Sequence, residues 1–295
     1  MKRIKEKSKK INILMATDHG GYKGNLAGVG RYLSYILPNL DKTRFNIILV
    51  ILRDDASLKS HFEGTGIKII HLLRKKFDPY TFIEFIDIIK KESIHLLHLH
   101  QYACSNFGRL AGKVIGIPTV LHAHDLNYNY SWIQWIADRL LRSTTDYVIA
   151  VSESAKLSCA RIRAIDPNKI VVIPNAVPTY RFQHLYQENC QALRRRWGLN
   201  KKCNIVGTVT RLHEEKGNEF LLKAARIILK TLPNTYFVFV GDGPLKQQLE
   251  ENTRRMRIQR KVIFTGYQED VAGLMSIFDV NVIASNTEGF SLTLL

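Results

Sequence analysis

The most constraining feature of this sequence is a regular alternation of short apolar runs with amphipathic stretches. The apolar runs are typical of buried strands, and the stretches between them repeat apolar residues at helical spacing. In the first part of the chain, strands are predicted at Ile11–Ala16, Phe45–Leu52, Lys68–Leu72, Ile94–His100, Thr119–His124 and Tyr147–Val151, and helices at Leu26–Leu40, Pro79–Ser93 and Trp132–Ser143. This alternation predicts an α/β fold built from βαβ units around a parallel sheet.

The same pattern restarts after residue 190. The predicted order is strand Asn204–Val209, helix Asn218–Thr231, strand Tyr236–Val240, helix Pro244–Met256, strand Lys261–Thr265, helix Val271–Phe278 and strand Asp279–Ala284. Two successive α/β units predict two Rossmann-like domains that face each other across a cleft, at residues 1–180 and 181–295. The second domain is predicted to be incomplete, because doubly wound domains usually have five or six strands and only four are visible here.

The composition of the chain limits the classes of protein to which it can belong. The net charge is +17, and the first 180 residues carry 26 Lys and Arg against 15 Asp and Glu. Such a surface attracts anionic partners, namely nucleic acid, acidic lipid or phosphorylated substrates, or is simply solvated. No apolar run is long enough to span a bilayer, and the apolar segment after the basic start is too short and polar for a signal peptide. We therefore expect a cytoplasmic protein, with four scattered cysteines that are buried rather than bridged.

Two cations lie five residues apart in the string GTVTRLHEEKG, from Gly207 to Gly217. The string predicts a strand, a tight loop and the start of a helix. Arg211 can direct two donors to phosphate oxygens, and Lys216 adds a mobile point charge. Gly207 would allow the backbone to approach a ligand. The loop is therefore predicted to bind a diphosphate.

Three further strings follow predicted strands. VGDGP contains Gly241 and Gly243, which suit either a ligand pocket or an ordinary β-to-α turn, and FTGY ends with Tyr267. In NTEGFSLTLL, Glu288 precedes a glycine at which a helix is predicted to begin. Free backbone N–H groups at such a start attract an anion, and the residues that carry them here are Gly289, Phe290, Ser291 and Leu292.

Together these strings resemble the donor half of retaining glycosyltransferases of the GT-B type, in the fourth sequence family, the glycosyl transferases group 1. The resemblance implies transfer of a sugar from a nucleoside diphosphate sugar to an acceptor hydroxyl with retention, in cell-surface polysaccharide or glycolipid synthesis. It makes residues 1–180 the acceptor side and 181–295 the donor domain. It assigns Glu288 to the donor sugar, the following backbone N–H groups to the pyrophosphate, and the segments around Gly241, Gly243 and Tyr267 to the donor pocket.

The resemblance also extends to the first domain. In GNLAGVGRYLSYIL, Gly28 occupies a glycine position of the family loop that binds the donor phosphates, while Ala27 replaces the preceding glycine. His124 matches the active-site histidine, which touches the donor sugar or the acceptor. Two pairs of strand-end histidines, with His98, His100 and His122, could in principle supply a metal site. We expect them to be structural, and we expect transfer without a metal or other cofactor.

Several alternatives remain beside this interpretation. In the family a second glutamate follows the first after seven residues, whereas seven residues follow Glu288 in all. The chain could therefore be an inactive remnant, and we expect little or no transfer by these 295 residues alone. Only the net charge supports a nucleic-acid-binding protein. The chain has no Gly-x-Gly-x-x-Gly after its first predicted strand, which argues against an NAD-dependent oxidoreductase. The expected partners are a nucleotide sugar, a glycan or lipid-linked acceptor, and the anionic inner face of the cell membrane, but not nucleic acid.

Overall fold

The computed structural model of the chain describes residues 10–22, 25–26, 28–53, 61–62, 64–126, 131–183, 187–200 and 202–295. Ala27 and the basic residues before Lys10 lie outside these ranges. The chain forms two compact units, Met1–Val177 and Pro178–Leu295, called unit 1 and unit 2 below. The predicted α/β fold with parallel sheets is confirmed in both units.

Unit 1 contains a parallel sheet of seven strands in the order β5-β4-β1-β6-β7-β8-β9. Its strands are β1 (Ile11–Thr17), β4 (Phe45–Ile51), β5 (Lys68–His71), β6 (Leu96–His100), β7 (Thr119–Ala123), β8 (Tyr147–Ala150) and β9 (Ile170–Val172), and a small hairpin comprises β2 (Gly21–Tyr22) and β3 (Asn25–Leu26). The helices are α1 (Gly28–Ile36), α2 (Tyr80–Lys91), α3 (Tyr102–Ile115), α4 (Trp132–Leu140) and α5 (Glu153–Ile162). The central strands are buried on both faces, as their nearly continuous apolar sequences predict.

Helix α3 and strand β9 have no counterpart in the sequence-based prediction. Helix α3 follows Gln101, a non-glycine residue at φ 61°, which makes no side-chain hydrogen bond to the helix start. Its first N–H groups are instead satisfied by Asp18, whose carboxylate accepts from the backbone N of Ala103 (3.1 Å) and of Cys104 (2.7 Å). The cap of this helix therefore comes from the end of β1, far away in sequence.

Unit 2 contains four parallel strands in the order β12-β11-β10-β13. The strands are β10 (Asn204–Val209), β11 (Thr235–Val240), β12 (Val262–Gly266) and β13 (Val280–Asn281); the helices are α6 (Tyr180–Gln183), α7 (Gln187–Arg196), α8 (Asn218–Thr231), α9 (Lys246–Arg255) and α10 (Val271–Met275). The order of the strands reverses between β10 and β13. Ligands of doubly wound sheets bind beyond the carboxyl ends of the strands at such a reversal.

Two local predictions for unit 2 are wrong. Strand β13 pairs with β10 only at Val206↔Val280 and Gly207↔Asn281, so it is shorter than predicted. The expected helix at Gly289 does not form; residues 289–295 contain bends and a turn closed by the Leu294 N–H donating to the Ser291 carbonyl (3.2 Å). A helix requires several consecutive i−4 bonds to offset its nucleation cost, and this segment has no helical run of them.

Among the described residues, no helix is both long and apolar enough to cross a membrane. The four cysteines are free thiols, and three of them, Cys104, Cys159 and Cys203, are buried. They contribute to packing as small apolar side chains.

Candidate functional site

The carboxyl edge of the unit 2 sheet brings together the principal residues predicted to bind the donor. Arg211 and Lys216 lie on the loop between β10 and α8, and Glu288 lies on the segment that follows β13. Because β10 and β13 are neighbours at the strand-order reversal, these two segments meet although they are about 70 residues apart in sequence.

Lys216 and Glu288 are in direct contact. The Lys216 Nζ lies 2.8 Å from Oε1 of Glu288, and the Ser285 hydroxyl donates to the same oxygen over 2.7 Å. Only 17% of the Lys216 side chain and 30% of the Glu288 side chain is exposed. The lysine therefore carries its charge beside a carboxylate that is fixed by a second hydrogen bond, in a partly desolvated position.

Arg211 is held differently. Its NH2 group donates to Oε1 of Glu215 over 2.7 Å, and 54% of the Arg211 side chain is exposed. The buried side chain of Asn218 donates to the Arg211 carbonyl over 3.2 Å, which fixes the backbone of the loop. The guanidinium is therefore accessible and can exchange Glu215 for another oxyanion at small cost.

Gly241 and Gly243 lie in close contact with the backbone of this loop. A Cβ on Gly241 would lie 1.9 Å from the Thr210 carbonyl oxygen, and one on Gly243 would lie 2.3 Å from that of Leu212. The Leu212 N–H donates to the Asp242 carbonyl over 3.0 Å. Close contact between two backbone loops therefore explains why both positions are occupied by glycine.

The expected role of Gly207 is wrong. A Cβ at this position would lie 2.1 Å from the ring of Phe278, so the missing side chain leaves room for an aromatic ring. Gly207 is on β10, inside the sheet, and not on the loop that carries the cations.

The last residues lie across the end of β10. The Thr293 hydroxyl donates to the Val209 carbonyl (3.1 Å), and the Asn286 N–H donates to the Glu215 carbonyl (2.9 Å). Gly289, Phe290, Ser291 and Leu292 are half-buried in this segment. Since they are not in a helix, they have no aligned set of N–H groups in this structure. Tyr267 follows β12 at the same edge and is also half-buried.

In unit 1 the structure brings four histidines together on one face of the sheet. His98 and His100 are on β6, His122 is on β7 directly opposite His100, and His124 follows β7. Nε2 of His98 lies 3.1 Å from Nδ1 of His122, and Nδ1 of His100 lies 2.9 Å from Nε2 of His124. The rings of His122 and His124 are nearly parallel, with an angle of 4° between their planes and 4.2 Å between their centroids. We call these four residues the histidine cluster.

Burial keeps the histidine cluster uncharged. It lowers the pKa of His98 to about 4 and that of His124 to about 3, and it lowers the pKa values of His100 and His122 well below 6.5. For the last two, the nearby histidines add a smaller effect in the same direction. All four rings are therefore neutral at physiological pH.

Helix α1 covers the histidine cluster. The Tyr32 ring centroid lies 4.9 Å from that of His122 and 5.1 Å from that of His124, and burial raises the pKa of Tyr32 to about 12. Gly28 begins α1, one helical turn before Tyr32, and among the described residues nothing lies within 4 Å of where its Cβ would be. The predicted residues Gly28 and His124 thus belong to the same part of unit 1.

Three residues of these sites were not predicted from the sequence. Glu215 is four residues from Arg211, a spacing at which ion pairs form on a helical turn, so this pair could have been predicted. Ser285 is three residues from Glu288 and offers a similar local signal. No local signal in the sequence points to Tyr32, because only the packing of α1 on β6 and β7 brings it to the histidines.

Comparison with known proteins places both units in one family. The family model of Glycosyltransferase Family 4 matches residues 26–181, just over half of the chain, and that of Glycosyl transferases group 1 matches residues 190–295. A UDP-Gal:alpha-D-GlcNAc-diphosphoundecaprenol alpha-1,3-galactosyltransferase of Escherichia coli is 27% identical over 291 residues, covering 92% of this chain and 73% of that protein. The GPI3 subunit of the phosphatidylinositol N-acetylglucosaminyltransferase of Saccharomyces cerevisiae (strain YJM789) is 24% identical over 300 residues, covering 97% and 65%.

Among solved structures, Anabaena Alr3699/HepE in complex with UDP-glucose is similar with a TM-score of 0.79 and 19% identity, covering 93% of this chain and 74% of that one. The chain spans 59% to 73% of the length of the three curated relatives that match it first. Two Rossmann-like units, the family matches and these structural neighbours lead to one conclusion: the chain belongs to the group 1 glycosyltransferases of glycosyltransferase family 4 and has the GT-B fold.

Proposed function

We propose that the protein transfers a sugar from a nucleoside diphosphate sugar to an acceptor hydroxyl, with retention of configuration at the anomeric carbon. The observation that carries the proposal is the contact of Lys216 with Glu288 at the strand-order reversal of unit 2, on the same loop that carries the accessible cation Arg211. UDP is the nucleotide we test first, because it is bound in the neighbouring HepE structures.

In this proposal the diphosphate replaces Glu215 as the partner of Arg211 and becomes a second partner of Lys216 beside Glu288. Arg211 leaves Glu215 for a phosphate oxygen, and Lys216 lies between the phosphate and Glu288. Glu288 then accepts from a hydroxyl of the donor sugar. Both cations stabilise the negative charge that develops on the departing diphosphate, so the proposed reaction needs no metal or other cofactor.

Retention follows from attack on the face that the diphosphate leaves. The acceptor oxygen forms a bond to the anomeric carbon while the bond from that carbon to the diphosphate oxygen breaks. The acceptor proton passes to the departing phosphate oxygen, so that no protein nucleophile is required. By family resemblance we assign further contacts as proposals: His124 to the sugar or acceptor, and Gly28 with the residues after Glu288 to the donor phosphates. Gly241, Gly243 and Tyr267 are proposed to line the donor pocket.

The acceptor is proposed to be a sugar linked to a lipid, as in cell-surface polysaccharide or glycolipid synthesis. The support comes from two relatives, one that is a galactosyltransferase for a diphosphoundecaprenol-linked sugar and one that is a subunit of a phosphatidylinositol N-acetylglucosaminyltransferase. A polyprenyl diphosphate sugar is therefore the first acceptor to be tested.

The test is to fuse the chain at its carboxyl end to the C-terminal segment of a related transferase that carries the second glutamate of the family pattern, and to incubate this fusion with a panel of UDP sugars and a short-chain polyprenyl diphosphate sugar. The new linkage is determined by NMR. We expect an α-linked product from an α-linked donor, and no product from the Glu288→Gln variant. A β-linked product would refute retention, and equal turnover by the Glu288→Gln variant would refute the role of Glu288.

A surface of unit 1 supports contact with a membrane. Helix α4 begins at Ser131, which forms a reciprocal capping box with Gln134. It exposes five apolar side chains, with exposed fractions of 41% to 75%: Trp132, Ile133, Trp135, Ile136 and Leu140. The Tyr102 hydroxyl donates to the Gln134 carbonyl over 3.3 Å, and the Tyr102 ring contacts Phe77, which extends the exposed apolar surface to a second segment.

Cations border this surface. Arg139 lies over the Trp135 ring at 4.0 Å, and Lys76 lies 5.2 Å from the Phe77 ring centroid. Exposed tryptophans beside basic residues are typical of surfaces that insert at the boundary between headgroups and acyl chains of anionic bilayers. We propose that this surface attaches the protein to the anionic inner face of the cell membrane, where a lipid-linked acceptor is available.

Vesicle flotation tests the attachment. We expect binding to vesicles that contain phosphatidylglycerol, weaker binding to phosphatidylcholine alone, and at least about tenfold weaker binding for Trp132→Ser/Leu140→Ser because two large apolar groups are removed. The matched control is Ile227→Ser/Leu232→Ser, which changes two exposed apolar residues of unit 2. Equal losses in both variants would contradict the assignment, and tight binding to duplex DNA with none to vesicles would favour a nucleic-acid partner.

A further inference from the structure

Three residues of the histidine cluster have the arrangement of metal ligands. His98, His100 and His122 are buried, and one ring nitrogen from each lies within 4.8 Å of the other two. The three residues are on neighbouring parallel strands, with His100 directly opposite His122, and the sheet fixes their backbone positions. Among the described residues, this is the one group of three or more potential ligands so arranged.

Two ring nitrogens of this group are buried without a partner. Nε2 of His100 and Nε2 of His122 make no hydrogen bond to any described residue. When Nδ1 of each ring carries the proton, His100 donates to His124 and His122 donates to His98, and both Nε2 atoms have a free lone pair. Histidines that ligate metals commonly donate their other ring N–H to a neighbouring group, as His100 does to His124.

The chemistry of the ligands selects the class of ion. Neutral imidazoles suit zinc and related transition ions, whereas magnesium and calcium require oxygen ligands. Three histidines leave a fourth coordination position for water. Bonds of about 2.0–2.1 Å to a tetrahedral zinc ion place ligand nitrogens roughly 3.3 Å apart, so the rings must approach one another by at most about 1.5 Å.

We propose that His98, His100 and His122 bind a divalent transition ion of the zinc class. The site is separate from the proposed transfer step, in which Arg211 and Lys216 stabilise the diphosphate without a metal. His98 exchanges its contact with His122 for a bond to the ion. His100 keeps its hydrogen bond to His124, so the bound ion fixes the orientation of the His124 ring.

The test is titration of the untagged, metal-free chain with Co²⁺, followed by displacement with Zn²⁺. We expect one ion per chain, the strong visible absorption of four-coordinate Co²⁺, and a higher melting temperature with Zn²⁺ because the ion binds the folded state. His100→Asn retains a donor near the position of Nδ1 and removes the Nε2 ligand. It should weaken binding at least tenfold, whereas His95→Asn, a histidine that accepts from the Asn12 N–H, should leave it unchanged.

Equal affinity in His100→Asn and His95→Asn, a six-coordinate Co²⁺ spectrum, or no binding by the folded chain would overturn the proposal. If His100→Asn does not fold, ¹⁵N NMR of the histidine-labelled wild-type chain decides the matter. Zinc should shift the ring nitrogens of His98, His100 and His122 among the ten histidines of the chain. Shifts confined to other histidines would also refute the site.

Discussion

Replacement of Gly217 by alanine should separate the two segments that form the candidate donor site. Gly217 precedes α8 with φ +63°, and a Cβ there would lie 1.9 Å from the Ala284 carbonyl oxygen. Ala284 directly precedes the segment that carries Ser285 and Glu288. The substitution therefore acts at the point where the cation loop and the glutamate segment are closest.

Gly198 provides a matched control for this substitution. It has φ +66°, nearly the same backbone conformation, but nothing lies within 4 Å of its Cβ position. Gly198→Ala should cost only the strain of a left-handed alanine, about 1 kcal/mol. Gly217→Ala adds a clash that requires the Ala284 carbonyl to move by more than about 1 Å.

The additional cost follows from what that movement breaks. The Asn286 N–H bond to the Glu215 carbonyl contributes about 0.5–1.5 kcal/mol, and the partly exposed pair of Lys216 and Glu288 about 0.2–1 kcal/mol. With the conformational strain, Gly217→Ala should lower the free energy of unfolding of unit 2 by roughly 2–4 kcal/mol. It should also weaken UDP binding at least tenfold, whereas Gly198→Ala should not.

Urea denaturation of both variants and calorimetric titration with UDP measure these effects. Equal stabilities of Gly217→Ala and Gly198→Ala, with unchanged UDP affinity in both, would show that the glutamate segment is not packed against the loop. The proposed geometry of the donor site would then be wrong.

Three further predictions test individual carboxylates. Glu215→Gln removes an exposed partner of Arg211, so it should change the free energy of unfolding by less than about 1 kcal/mol and tighten UDP binding by up to about fivefold. Weaker UDP binding in calorimetry would contradict the idea that Glu215 competes with the diphosphate for Arg211. In the fusion that carries the second glutamate, Glu288→Gln should abolish sugar transfer in a radiolabelled-donor assay while UDP still binds, and loss of both would indicate a structural role. Asp138→Asn should lower the free energy of unfolding of unit 1 by about 3–5 kcal/mol in urea denaturation, because it leaves the buried Arg109 without its carboxylate; a loss below about 1 kcal/mol would show that the pair is dispensable.

The elements predicted best from the sequence are those with local signals at both ends. Strand β10 and helix α8 have the predicted bounds, because a β-branched apolar run ends at turn residues and an amphipathic pattern begins directly after Gly217. Helix α3 was missed for a physical reason. Its start has no local capping signal, because Asp18 at the end of β1 accepts from its first N–H groups, and small residues such as Gly108 occupy its buried face, where a Cβ would lie 2.5 Å from Leu99.

The candidate sites show the same division between local and long-range information. The types of residue in the cation loop could be recognised from the sequence, but the contact of Lys216 with Glu288 depends on the pairing of β10 with β13. The histidine cluster depends in the same way on the register of β6 and β7. Alternation along a strand places His122 and His124 on one face, and only the structure shows His124 as the more exposed of the two.

The most direct test of the central claim is calorimetric titration of UDP into the wild-type chain, Arg211→Ala, Lys216→Ala and the control Arg226→Ala, an exposed cation on α8. We expect each of the first two substitutions to weaken UDP binding by about 1–3 kcal/mol, because each removes a charge-assisted contact with phosphate, and we expect the control to leave it unchanged. Wild-type affinity in both Arg211→Ala and Lys216→Ala would contradict the proposal that this loop binds the donor diphosphate.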